Sequence, residues 1–61
     1  MTYAQAIARA IKRAKETGAD RHVVLEDEDY HVATDFDMDS FWLGACAIGT
    51  AGPDGHYEEA A

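Results

Sequence analysis

After Arg21 this 61-residue chain contains no lysine or arginine, and over its whole length it has one proline and one cysteine. A single cysteine, Cys46, excludes an internal disulfide, and a free thiol is typical of a reducing intracellular compartment. The longest apolar run, residues 41–48, has eight residues, against the roughly 20 needed to span a bilayer. The N-terminus also lacks the apolar segment of a secretory signal, so we expect an intracellular protein that is not in the membrane.

The rest of the composition describes one small, acidic domain. Sixty-one residues allow a single domain (1–61), and a hydrophobic fraction of 48% is too high for a disordered acidic tail. Up to Arg21, five basic residues oppose two acidic ones; beyond it there are ten carboxylates, and the net charge is −7. Such a field repels nucleic acid and attracts basic proteins. The charge pattern therefore favours a binding role and argues against direct binding to nucleic acid.

Residues 2–17 have the pattern of one amphipathic helix. Thr2 and Gln5 form a capping-box pair, and Gly18 supplies the left-handed residue at which helices end. Apolar residues recur at helical spacing and form one stripe, which we expect to pack on a sheet. The stripe consists of Tyr3, Ala6, Ile7, Ala10, Ile11 and Ala14.

Beyond Gly18 the apolar period changes from 3.6 residues to two, which predicts strands. We expect strands over residues 22–26, 30–36 and 40–48, and a short fourth strand at 56–58 after the turn at residues 53–55. The predicted fold is α+β, with one N-terminal helix packed on an antiparallel meander sheet of three or four strands.

The alternation also predicts the core. In residues 30–36 the even-numbered side chains, among them Val32 and Phe36, should face the helix, and His31, Asp35 and Asp37 should lie on the opposite face. The expected core residues are Tyr3, Ile7, Ile11, Val32 and Leu43.

Two acidic clusters are the candidate binding sites. Residues 26–29 can form a solvated hairpin turn or an anionic ridge that fits a basic cleft. In the second cluster, residues 35–39, every second residue is an aspartate, so in an extended chain the carboxylates would project from one side about 6.6 Å apart. Phosphates along nucleic acid repeat at about 3.4 Å of axial rise and lie further apart along the winding backbone, so the two spacings are comparable. The aspartates can thus fill a phosphate-binding groove, or they can simply cap turns.

An aromatic pair completes the candidate site. Phe41 and Trp42 are adjacent, so in a strand they point to opposite faces, and one of them should enter the core. The other can be an exposed interface anchor or part of a small cluster closed by Tyr57. The predicted partner-binding residues are Glu26, Asp27, Glu28, Asp29, Asp35, Asp37, Asp39 and Trp42.

Metal and catalytic motifs are incomplete. The Asp-x-Asp-x-Asp pattern that begins at Asp35 opens a calcium loop, but Ser40 and Cys46 stand where that loop needs glycine and glutamate. The three histidines and Cys46 match no zinc spacing, and the glycines match no phosphate loop. Cys46 lies in an apolar segment, which favours an inert thiol. We expect no metal, no cofactor and no enzymatic activity.

In size and charge, and in the carboxylate arrays at residues 26–29 and 35–39, the chain resembles the small acidic proteins that phages use against bacterial defence, especially anti-CRISPR proteins and anti-restriction DNA mimics. The resemblance covers the whole chain but includes no shared motif. It implies a location in the bacterial cytoplasm. We expect a monomer rather than a dimer bridged through Cys46. It also implies as partner a basic nucleic-acid-binding protein or complex, such as the surveillance complex of a type I CRISPR system, blocked where it would grip DNA.

The alternative is a small regulatory or accessory protein, for example an antitoxin or a phage-assembly subunit. Such a protein would bind a protein partner through Trp42 and its neighbours. The two hypotheses differ in salt dependence, because charge-driven binding weakens with ionic strength and an aromatic interface barely responds.

Overall fold

The computed structural model describes residues 1–40 and 47–60. Two helices and four strands follow one another along the chain. They are α1 (Tyr3–Thr17), β1 (Arg21–Glu26), β2 (Asp29–Ala33), α2 (Asp35–Ser40), β3 (Ala47–Ala51) and β4 (Tyr57–Glu59). The predicted α+β class is confirmed, with an N-terminal helix against a four-stranded antiparallel sheet.

Both ends of α1 are fixed by local hydrogen bonds, as predicted. Thr2 Oγ1 accepts a bond from the Gln5 backbone N–H at 3.1 Å, and Gln5 Oε1 accepts one from the Thr2 N–H at 2.8 Å. At the other end Gly18 has φ 72°, and its N–H donates to the Ala14 carbonyl at 2.8 Å. These bonds satisfy backbone groups that the helix itself leaves without partners.

The strand order is β2-β1-β3-β4, which is not that of a meander. Strands β1 and β2 form a hairpin, but β3 then pairs with β1 rather than with β2. The chain therefore crosses from one side of β1 to the other between Ala33 and Ala47, a connection that contains α2. Pairing of β1 with β3 shifts register between Val23 and Val24, which leaves Ile48 as the extra residue of a bulge.

Alanines, not isoleucines, form the fully buried row of α1. Ala6, Ala10 and Ala14 have no exposed surface, and they pack with Val23 and Ala51 of the sheet. Their small side chains allow the helix to lie close to the strands, so larger side chains are placed at the margin. The partly buried apolar residues around this cluster are Tyr3, Ile11, Tyr30, Val32, Ile48 and Tyr57.

The predicted core is thus only partly correct. Tyr3, Ile11 and Val32 contact the buried cluster from its margin, and Ile7 is half-buried. Leu43 lies outside the described residues, as do Phe41, Trp42 and Cys46.

The sheet face opposite α1, on which the sequence predicted His31, Asp35 and Asp37, also contains fully buried residues. Val24 and Ala33 are fully buried although they alternate with Val23 and Val32, which face the helix. Helix α2 lies against β2. The alternation predicted over residues 30–36 stops at Ala33, so β2 is shorter than expected.

Candidate functional site

The first acidic cluster, Glu26–Asp29, forms the tip of the β1–β2 hairpin, as predicted, and is called the hairpin tip below. The two residues of the turn, Asp27 and Glu28, have positive φ values of 52° and 64°, as type I′ hairpin turns require. All four side chains are exposed. Asp29 has an ion-pair partner: its Oδ1 lies 2.8 Å from the amino group of Met1. That hydrogen bond, a second one from the Tyr30 N–H and the nearby positive charge lower the pKa of Asp29 below its ordinary value.

The second acidic cluster is helical, and the predicted extended ladder of aspartates is wrong. Thr34 caps α2: the Asp37 N–H donates to Thr34 Oγ1 at 3.0 Å, and the Thr34 N–H donates to Asp37 Oδ2 at 3.1 Å. Asp35 and Asp39 are four residues apart and share a side of the helix, whereas Asp37 is about 200° away from each. One of the three carboxylates therefore has a capping role. The pair Thr34-x-x-Asp37 was the sequence signal for this helix.

Asp35 also belongs to a polar row that crosses the sheet. Its Oδ1 lies 2.5 Å from Nε2 of His22 on β1, and His22 Nδ1 lies 2.9 Å from Thr50 Oγ1 on β3. Glu58 of β4 is the cross-strand partner of Thr50. The hydrogen bonds of the row thus connect α2 with β1 and β3 on the face opposite α1, and Glu58 of β4 lies next to its end. The sequence analysis did not identify it, because its members lie far apart in the chain.

The polar row places a carboxylate, an imidazole and a hydroxyl in series, and hydrolytic triads have the same order of groups. Catalysis would further require N–H donors aimed at the developing oxyanion. Here the carboxylate of Asp35 is 81% exposed and the side chain of His22 only 18%, and the row extends between elements rather than into an enclosed cleft. We interpret it as the link that holds α2 on the sheet.

Thr50 also lines a shallow, open cleft of about 470 Å³, and four of its eight lining residues are acidic. The cleft is lined by Asp20, Thr50, Gly52, Asp54, His56, Glu58, Glu59 and Ala60. None of its four acidic residues was among the predicted site residues. The β3–β4 turn brings Asp54 close to Glu58 and Glu59, and Asp20 lies just before β1. The Pro-Asp-Gly sequence at residues 53–55 was the available signal for the turn.

The structure therefore joins some acidic residues and separates others. The polar row connects Asp35 with the cleft, and we call α2 together with the cleft the acidic end. The hairpin tip lies at the other end of the β1–β2 ladder, since His22 pairs with Ala33 and Glu26 pairs with Asp29. Four residues of strand correspond to about 13 Å. The two predicted clusters do not form one continuous surface along β2.

Phe36 is an exposed aromatic residue that the sequence predicted to face α1. Its side chain is 75% exposed on α2, between Asp35 and Asp37. The cause is the change from strand to helix after Ala33, which removes Phe36 from the alternation that would have turned it inward. Trp42, the predicted anchor, lies outside the described residues.

Within residues 1–40 and 47–60, no three histidine, aspartate or glutamate side chains are grouped so that they could hold a metal ion. The ring of His22 is bonded on both nitrogens. In the same residues, neither helix has the length and apolar content of a membrane span.

Comparison of the chain with protein-family models, with curated proteins and with solved structures gives no match.

Proposed function

We propose that this protein inhibits a bacterial defence complex by binding its basic, nucleic-acid-binding surface, in the manner of the anti-CRISPR proteins that it resembles. The acidic end makes the contact, inside the bacterial cell, and no metal, cofactor or catalytic step takes part. The observation that carries the proposal is Phe36, an exposed aromatic ring on a helix whose charged residues are all acidic.

The surroundings of Phe36 support a protein partner. A ring that is 75% exposed is costly to leave in water, and aromatic side chains are common anchors at the centres of interfaces. Asp35 and Asp39 lie on the same helix, and the carboxylates of the acidic cleft follow across the polar row. An apolar anchor with an acidic rim is complementary to a basic surface that carries an apolar pocket.

The hairpin tip is the weaker candidate for the central contact. It has no aromatic residue, and the carboxylate of Asp29 is already paired with the N-terminal amino group. Asp37 in turn caps α2. Of the residues predicted from the sequence, Asp39 remains in the central contact, Asp35 borders it while bound to His22, and the hairpin tip contributes to the long-range field.

Exposure of Phe36 is also what the accessory-protein hypothesis needs, with an aromatic patch as the main contact. In that case ionic strength would have little effect on affinity. The same measurements therefore separate the two functions.

The proposal can be tested with a purified, guide-loaded type I surveillance complex, the partner that the resemblance implies. We would immobilise the complex and measure binding of the protein between low and high salt, with and without target DNA. One variant, Asp39→Asn with Glu58→Gln, removes two charges from the acidic end. Its matched control, Asp27→Asn with Glu28→Gln, removes two charges from the hairpin tip.

At about 0.5–1 kcal/mol per rim charge, the acidic-end variant should bind roughly 5- to 30-fold more weakly. Phe36→Ala should cost about 2 kcal/mol or more if the ring is an anchor. The hairpin-tip control should change affinity by less, and target DNA should compete. No binding, no competition, or equal losses in the two double variants would contradict the proposal. Salt-independent binding that requires Phe36 would support the accessory function instead.

A further inference from the structure

The few basic residues of this acidic protein are concentrated around one cleft. Arg9 and Arg13, one turn apart on α1, and Arg21, the first residue of β1, line an open depression of about 390 Å³ between the helix and the β2 edge of the sheet. Three of the five basic residues of the chain are therefore at one site. The remaining lining residues are Met1, His31, Val32, Thr34 and Asp37.

None of the three guanidinium groups is neutralised within residues 1–40 and 47–60. Met1 pairs with Asp29 and His22 with Asp35, and neither of these pairs includes an arginine. Arg21 Nη1 donates to the neutral backbone carbonyl of Asp20 at 3.3 Å. Twelve carboxylates are available in the chain, so unpaired arginines at one cleft are not explained by a shortage of partners. Like charges held close together repel each other, and a bound anion would remove this repulsion.

We propose that this cleft binds an anion with several negative charges that carries phosphate groups, as pyrophosphate does. The planar guanidinium donates two parallel N–H bonds to a phosphate, whereas a lysine acts as a point charge. Three arginines can therefore bind a phosphate group through several directed hydrogen bonds. The volume of the cleft lies in the range of small-ligand sites, about 300–1,000 Å³. The site goes beyond the proposed function, because it is built by other residues and takes a ligand of the opposite charge to the proposed partner surface.

Among the described residues that line the cleft, Asp37 is the one carboxylate, and its charge opposes the binding of an anion. Its Oδ2 accepts the bond from the Thr34 N–H, so the residue has a structural reason to be there. An asparagine could accept the same bond without the charge. This gives a test of opposite sign: Asp37→Asn should strengthen binding, whereas loss of an arginine should weaken it.

The test is a titration of the full chain with pyrophosphate, followed by amide NMR shifts at constant ionic strength. The probes are amides near the cleft, among them those of Val32 and Thr34. Arg13→Gln removes a cleft cation, and Lys12→Gln is the matched control, because it removes an exposed charge from the next position of the same helix and does not line this cleft. A parallel titration with ATP distinguishes a nucleotide from a free polyphosphate as the source of the phosphates. Thermal unfolding of each variant confirms that it is folded.

We expect saturable shifts around the cleft, an affinity lowered roughly 10- to 100-fold in Arg13→Gln, little change in Lys12→Gln and tighter binding in Asp37→Asn. Equal losses in Arg13→Gln and Lys12→Gln would show that only the general field of α1 attracts the anion, and the proposal would be wrong. A titration without saturation would also overturn the proposal. Shifts that depend on protein concentration and include the hairpin tip would overturn it too, because they would indicate that the cleft binds a second copy of the chain. None of these results depends on the partner of the acidic end.

Discussion

Replacing Gly49 by alanine should destabilise the protein through the ring of Tyr57. A Cβ atom at position 49 would stand 1.9 Å from Tyr57 Oη and 2.3 Å from its Cζ, far inside contact distance. The ring is held by a 2.9 Å bond between the hydroxyl groups of Tyr57 and Tyr3 and by an edge-to-face contact with ring centroids 6.2 Å apart. Because the clash falls on the far end of a side chain, the ring can turn away, and both contacts with Tyr3 are then lost.

The size of the effect follows from these two contacts. A side-chain hydrogen bond contributes about 0.5–1.5 kcal/mol and an aromatic pair a similar amount, so about 1–3 kcal/mol is lost. Alanine returns about 0.5–1 kcal/mol, since glycine loses more backbone entropy when it enters a strand. The free energy of unfolding should therefore fall by about 1 kcal/mol, which for a domain of this size lowers the melting temperature by about 4–8 °C.

A double-mutant cycle measured by urea denaturation isolates the cause. In a Tyr57→Ala background the clash is absent, so Gly49→Ala should be neutral or stabilising there. The coupling between positions 49 and 57 should be about 1–3 kcal/mol, the sum of the lost contacts. Equal destabilisation in both backgrounds would refute the role of the ring and assign the effect to the backbone of Gly49.

Two further perturbations test the core and the N-terminus. Ala10→Val should lower the free energy of unfolding by about 1–3 kcal/mol, because Ala10 is fully buried between α1 and the sheet. Its control, Ala8→Val on the exposed side of α1, should cost only the difference in helix propensity, about 0.5 kcal/mol. Equal costs in denaturation curves would contradict the close contact of helix and sheet. The pKa of Asp29 is lower in the folded state than the ordinary aspartate pKa of 3.8. The ion pair of Asp29 with the N-terminus therefore stabilises the protein at pH values above 3.8, and this stabilisation is lost as the pH falls through the folded-state pKa. The melting temperatures of wild type and Asp29→Asn should therefore differ near neutral pH and converge in acid; a constant difference would rule out this pair.

The sequence predicted correctly the features that depend on residues a few positions apart. Thr2, Gln5 and Gly18 bracket α1 because their bonding partners lie three or four residues away in the same segment. The turn at Asp27 and Glu28 is likewise local, since the chain must reverse there for β1 and β2 to pair. The α+β class followed from the change of apolar period after Gly18.

Helix α2 shows how two local signals can compete. Alternation from Tyr30 to Phe36 indicated a strand, while Thr34 and Asp37 formed a capping pair inside the same segment. The alternation by itself predicts that the aspartates lie on an extended chain and that Phe36 faces α1. The strand ends at Ala33 because the reciprocal hydrogen bonds of the cap begin a helix there.

Local patterns in the sequence were sufficient to predict α1 and its caps, the hairpin turn and the fold class. The separation of basic from acidic residues is visible in the sequence directly. The tertiary structure was needed to show that β3 pairs with β1 and that alanines rather than isoleucines pack on the sheet. The tertiary structure also showed that His22 bonds to both Asp35 and Thr50. It also decided that three arginines share one cleft while the hairpin tip and the acidic end lie apart. The physical reason is that caps and turns are closed by neighbours in the chain. Strand order, burial and the grouping of charges instead depend on contacts between distant residues, whose relative positions no local pattern specifies.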